Sequence, residues 1–130
     1  MSGRQRFEKR VAPEMDRVLE RGESVVASGY AMTMASRGAH ALFGAGAAFM
    51  SKHYWLALTD RRLIVLRMEQ VGTRPVFERA EPLSEVHVHK RKPGLLGVRL
   101  ELDVADVRYR FRFPLTFKPV AQAIAATLAA

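Results

Sequence analysis

The chain contains no cysteine, which excludes disulfide staples, thiolate nucleophiles and every cysteine-based metal site. It also lacks any apolar run of the roughly 20 residues that a membrane-spanning helix needs. Its longest weakly polar stretch, Gly38 to Met50, is shorter than that. The basic N-terminal sequence MSGRQRFEKR is followed by no apolar h-region, so no secretory signal peptide is expected there. No Gly-x-Ser-x-Gly, His-Glu-x-x-His or phosphate-cradling glycine loop occurs, and Gly44-Ala45-Gly46 lacks the following lysine and helix start. A non-enzymatic protein without cofactors is expected, cytoplasmic and at most peripheral at the inner face of a membrane. Acidic residues are scarce beside basic ones, 13 against 21, and the formal net charge is +8. That balance favours anionic partners: lipid headgroups, nucleic acid or acidic protein surfaces.

The length is that of one domain with a single core. Pro13 to Glu20 reads as a short helix, with proline suited to its first turn and Gly22 to its end. The preceding Arg4 to Arg10 either extends that helix or stays outside it; the pattern leaves both open. From Glu23 the period changes to two. Glu23 to Met34 gives a long strand with Val26, Tyr30, Met32 and Met34 on one phase. His53 to Leu58 and Leu63 to Met68 are β-prone arms around the polar break Thr59-Asp60-Arg61-Arg62, the pattern of a β-hairpin.

Pro75 to Arg79 is expected at a sheet edge, because proline cannot donate to a ladder. Glu85 to Lys90 is a further strand closed by the turn signal Pro93-Gly94. Val98 to Val104 and Val107 to Phe113 alternate almost without interruption around Ala105-Asp106. If Val104 opposes Val107, then Asp103 faces Arg108 and Glu101 faces Arg110, a register favoured by opposite charges; Arg99 and Arg112 remain unpaired. Lys118 to Ala129 returns to helix, with Val120, Ile124 and Leu128 as one apolar stripe. Helix, about seven strands, helix implies an antiparallel sheet curled into a barrel or sandwich.

Gly22-Glu23, the run Leu56-Ala57-Leu58-Thr59-Asp60-Arg61-Arg62-Leu63-Ile64-Val65-Leu66, then Leu83-Ser84-Glu85-Val86 and the closing helix carry a resemblance. The chain resembles the bacterial pleckstrin-homology-like (PH/GRAM-like) domains from Gly22 to Leu128. The resemblance implies a mainly β fold, a seven-stranded, bent antiparallel barrel with a C-terminal capping helix, here preceded by a short N-terminal helix. Residues 1–21 would then be a helical extension and 22–130 the PH-like domain. It implies a binding or scaffolding role without catalysis, although such a fold hosts lipid, peptide and self-association sites alike. In lipid-binding members basic residues flank the first hairpin loop, and Arg37 and Lys52 occupy those places. Tyr54 stands where the pattern carries a further basic residue, which argues against specific inositol-phosphate recognition.

The expected functional surface is the loop between those two cations, with Leu42, Phe43, Phe49 and Met50 among small residues. Exposed together they form an apolar patch that a soluble monomer rarely carries. Burying two phenylalanines and a leucine in lipid or a partner would contribute on the order of several kcal/mol. Packing of the loop against its own domain or a second copy is the alternative. Arg61, Arg62 and the compact turn Lys90-Arg91-Lys92 provide auxiliary basic surface, or simply solvated charge. His87 and His89 are at a spacing that two metal ligands can share, but no third ligand is evident, so a metal site is not expected. The leading expectation is a module engaging an anionic lipid surface or a protein partner. A self-associating scaffold domain is its rival, which makes homo-oligomers a second expectation, and a non-specific nucleic-acid binder is the least favoured reading.

Overall fold

The computed structural model describes residues 3–33, 52–69 and 74–129. The first helix, α1 (Gly3–Val18), is longer than the sequence reading placed it, and Pro13 lies inside it rather than in its first turn. Phe7, Val11, Met15 and Val18 recur at three- and four-residue intervals and give α1 one apolar stripe that runs past Pro13. Val11 and Met15 are buried in the main core, with Phe7 and Val18 packed against it. The N-terminal segment is thus a working part of the domain's packing and not a loose extension.

The strands follow as β1 (Val25–Thr33), β2 (Lys52–Thr59), β3 (Arg62–Glu69), β4 (Arg74–Pro82), β5 (Val86–Pro93), β6 (Gly97–Val104) and β7 (Val107–Pro114). Short 3₁₀ turns at Leu83–Glu85 and Leu115–Phe117 lead into β5 and into the C-terminal helix α2 (Lys118–Ala129). All seven described strands join one antiparallel sheet in the order β4-β3-β2-β1-β7-β6-β5. The two end strands, β4 and β5, are not ladder partners among the described residues, so the sheet is open where a barrel would close. The β4 edge carries Pro75 and Pro82, where a missing N–H costs no ladder bond.

Strands β2 and β3 read as near-continuous apolar runs because both of their faces are covered. Every residue from Tyr54 to Leu58 and from Leu63 to Leu66 is buried. Trp55 meets Phe7 of α1 at 6.3 Å between ring centroids and Phe117 edge-on at 5.7 Å. Phe7 also lies 5.2 Å from Tyr30. On β1 Tyr30 and Met32 share one phase as expected and Met34 lies outside the described residues, but Val26 falls at a register shift between Val25 and Ala27 and is well exposed, and the alternate positions Gly29 and Ala31 are the buried ones. At Gly29 α2 and its leading turn approach closely. A Cβ on Gly29 would sit 2.6 Å from the Phe117 ring and 2.8 Å from Val120.

The β6–β7 register is the one the alternation implied, with Val104 opposite Val107, Asp103 opposite Arg108 and Glu101 opposite Arg110. Strand β5 departs from simple alternation. Its pairing with β6 shifts between Val88 and Lys90, which leaves His89 in a bulge. His87 opposes Asp103 before the bulge, whereas Lys90 opposes Glu101 and Lys92 opposes Arg99 after it.

Candidate functional site

The β2–β3 turn is the most recognisable motif in the sequence, and its residues are spent on holding the fold. Thr59 Oγ1 accepts from the N–H groups of Arg61 (3.1 Å) and Arg62 (2.8 Å) and donates to Glu23 Oε2 at 2.6 Å. The Arg62 guanidinium reaches Glu23 with two bonds, Nε to Oε2 at 2.9 Å and Nη2 to Oε1 at 2.6 Å, and Nη2 also reaches the Val18 carbonyl at 3.0 Å. Asp60 Oδ1 accepts from the Ser24 N–H at 2.9 Å, while the Asp60 N–H bonds the Ser24 carbonyl at 3.0 Å. The Glu23 side chain has no exposed surface. The Arg62 hydrogen bonds outweigh its burial and hold its carboxyl down to about 2. Arg62 is therefore a structural cation, not free basic surface. Arg61 is the more exposed of the two, and it leans on the Arg21 carbonyl and Glu20.

The sheet's charged face tells a different story toward the β5–β6 turn. Arg108 bonds Asp103 through Nε at 2.7 Å and Nη2 at 3.1 Å, and Arg110 meets Glu101 at 3.2 Å. The next position along the same face places Arg99 opposite Arg112 and Lys92 opposite Arg99. Three cations thus stand in one cross-strand row on adjacent strands, with no ion pair to any of them among the described residues. Like charges at directly facing positions are unfavourable. The row continues onto Met32 of β1 and His53 of β2, and Tyr30 and His53 share a hydrogen bond between the hydroxyl and Nδ1.

Beside this row is a cavity of about 380 Å³ lined by Lys92, Pro93, Gly94, Leu95, Leu96, Gly97, Arg99 and Arg112. The Gly94 N–H closes the turn on the Gly97 carbonyl at 2.9 Å. Gly97 has φ 155°, and a Cβ there would lie 2.2 Å from the Phe113 carbonyl oxygen, so glycine is the residue that lets β6 pass so close to β7. The turn projects Leu95 and Leu96 into solvent, 94% and 73% exposed. Two adjacent leucines at a hairpin tip, rimmed by unpaired cations, form the most unusual surface among the described residues.

Of the residues marked from the sequence, Lys92 belongs to this site. Lys90 and Arg91 lie beside it on the edge strand, opposite Glu101 and Leu100. Lys52 is exposed at the start of β2, where its N–H donates to Thr33 Oγ1 at 3.2 Å. Arg37, Leu42, Phe43, Phe49 and Met50 lie outside the described residues. His87 and His89 do not share a face cleanly, because the bulge falls on His89. Among the described residues no group of three metal-ligating side chains converges. The sequence reading missed Leu95 and Leu96, whose signal was two leucines inside a Pro-Gly…Gly turn, a place for polar residues. It noted Arg99 and Arg112 as unpaired without joining them to Lys92.

No protein-family model matches the chain, and no curated protein matches it by sequence.

Proposed function

We propose that this protein is a non-catalytic, PH-like binding module that attaches reversibly to anionic membrane surfaces. The strand order β4-β3-β2-β1-β7-β6-β5 followed by one terminal helix supports the PH-like part of this reading. The observation that carries the functional part is the pair Leu95 and Leu96, exposed in the midst of Lys92, Arg99 and Arg112. An apolar tip within a cationic rim matches the two-layer chemistry of a bilayer surface, acyl chains below phosphates. Inserting two leucines contributes about 3 kcal/mol, and three cations near an anionic surface contribute about 1 kcal/mol each. A total near 6 kcal/mol corresponds to a dissociation constant of some tens of micromolar, which suits attachment that can be reversed. Among the described residues no helix is long and apolar enough to cross a membrane.

Vesicle co-sedimentation tests this. The wild type is expected to pellet with vesicles containing 30% phosphatidylglycerol and not with pure phosphatidylcholine. Leu95→Ser/Leu96→Ser is expected to weaken that binding roughly a hundredfold, as about 3 kcal/mol requires. Phe43→Ser/Phe49→Ser, run alongside, measures what the apolar 38–50 sequence adds. A wild type that stays in the supernatant with anionic vesicles overturns the proposal; if light scattering then finds a stable dimer, the scaffold alternative takes its place.

A further inference from the structure

We propose that Lys92, Arg99 and Arg112 form a binding site for a phosphate monoester at a bilayer surface, a site that rests on the membrane reading above and gives it a headgroup preference. Charge alternates in a regular pattern along β6 and β7. At two successive outward positions an acid on β6 faces an arginine on β7, Asp103 with Arg108 and Glu101 with Arg110. At the third the pattern reverses to Arg99 against Arg112, and Lys92 extends it onto β5. Adjacent strands are roughly 4.8 Å apart, so the three side chains arise within about 10 Å and can converge on one anion. A protein gains nothing in stability from such a row; it is favourable when an anion occupies it.

The surrounding shape fits a compact ligand. The cavity of about 380 Å³ is lined by the three cations together with Pro93, Gly94, Leu95, Leu96 and Gly97, so charged and apolar groups share its wall. Gly94 and Gly97 add no side chains to that wall, and Leu95 and Leu96, which also line it, are largely exposed to solvent. An anion seated there is held at the depth of the lipid phosphates when the leucines dip below them. Two guanidiniums bind phosphate oxygens in forked pairs, which an ammonium cannot do. A monoester offers three terminal oxygens and between one and two negative charges near neutrality. A diester offers two oxygens and one charge, and so leaves part of the row unsatisfied.

The bulge at His89 decides which cation of β5 joins the row. Without it the pairing of His87 with Asp103 would run on to place Arg91 opposite Arg99 and Lys92 on the other phase.

The test compares phosphatidic acid with phosphatidylglycerol in vesicles matched for surface potential. The wild type is expected to bind the monoester vesicles about tenfold more tightly, the scale of one added charge-assisted pair. Arg99→Gln/Arg112→Gln is expected to lose that preference, and its thermal midpoint should not fall, because a like-charge pair is removed. Arg99→Lys/Arg112→Lys should keep binding to both vesicles while losing most of the preference. Leu95→Ser/Leu96→Ser should weaken both vesicles alike and keep the preference. Titration of inorganic phosphate, followed by the NMR signals of the arginine Nε–H groups, separates anion binding from membrane attachment. Shifts at Arg99 and Arg112 without any vesicle binding uphold the anion site and overturn the membrane reading. Equal wild-type binding to the two matched vesicles, or an unchanged preference in Arg99→Gln/Arg112→Gln, overturns the site.

Discussion

Glu23 shows how a single carboxylate can couple three parts of a fold. It receives Arg62 and the Thr59 hydroxyl from the β2–β3 turn and the Glu20 N–H from just beyond the end of α1. With its folded value near 2 against an ordinary 4.5, the charged carboxylate stabilises the protein above about pH 4.5, and that contribution is lost as the pH falls toward 2. Glu23→Gln is therefore expected to cost about 3 kcal/mol at pH 7, leaving Arg62 half-buried against a neutral amide. The variant should also flatten the loss of stability between pH 4.5 and 2, which urea unfolding at a series of pH values would measure. Ala105 is the converse case, a residue that works against its backbone. It sits in the left-handed region at φ 53°, where an alanine costs about 1–2 kcal/mol. Ala105→Gly removes that cost but gives the unfolded chain more freedom, so a net gain of up to about 1 kcal/mol is expected by thermal unfolding. The turn at Thr59 and Asp60 was legible in the sequence. Its partners were not, because Glu23 and Ser24 lie 36 residues away and local pattern carries no information at that range.

The elements differ in how openly the sequence announces them. Strands β6 and β7 were readable down to their register, since alternation and facing charges both repeat along them and only one pairing satisfies both. The C-terminal helix was equally plain from its apolar stripe. Helix α1 was underestimated: Pro13 drew attention as a helix start, while the stripe Phe7-Val11-Met15 ran straight through it. On β1 the decisive residues are the small ones, whose role is set by what lies above them. Gly29→Ala is expected to destabilise by about 1–3 kcal/mol, the usual penalty for overpacking, because Phe117 and Val120 already fill the space. Truncating Phe117 to leucine in the same chain should recover part of that loss, and a double-mutant cycle in urea would read the coupling.

Across the whole molecule, charge and apolar surface are distributed unevenly. On the β6–β7 face Asp103 with Arg108 and Glu101 with Arg110 neutralise each other, whereas Lys92, Arg99 and Arg112 stand beside an apolar tip at the β5–β6 turn. Membrane attachment by such a surface has two components with different responses to salt. Raising sodium chloride from 0.1 to 0.5 M should weaken wild-type vesicle binding, since the Debye length shortens from about 10 Å to less than half of that. Leu95→Ser/Leu96→Ser, left with electrostatics alone, should be proportionally more salt-sensitive, and co-sedimentation at the two salt concentrations checks it.

The sequence alone determined the β-rich class, the helix that closes the chain, the β6–β7 register and the cationic excess, because each is written in local periodicity or composition. Tertiary structure decided that α1 belongs to the core, that Arg62 is tied in an ion pair to the buried Glu23, and that Lys92 stands in line with Arg99 and Arg112. Those outcomes depend on which distant segments meet and on one extra residue in β5, whose bulge reverses the phase of every side chain after it.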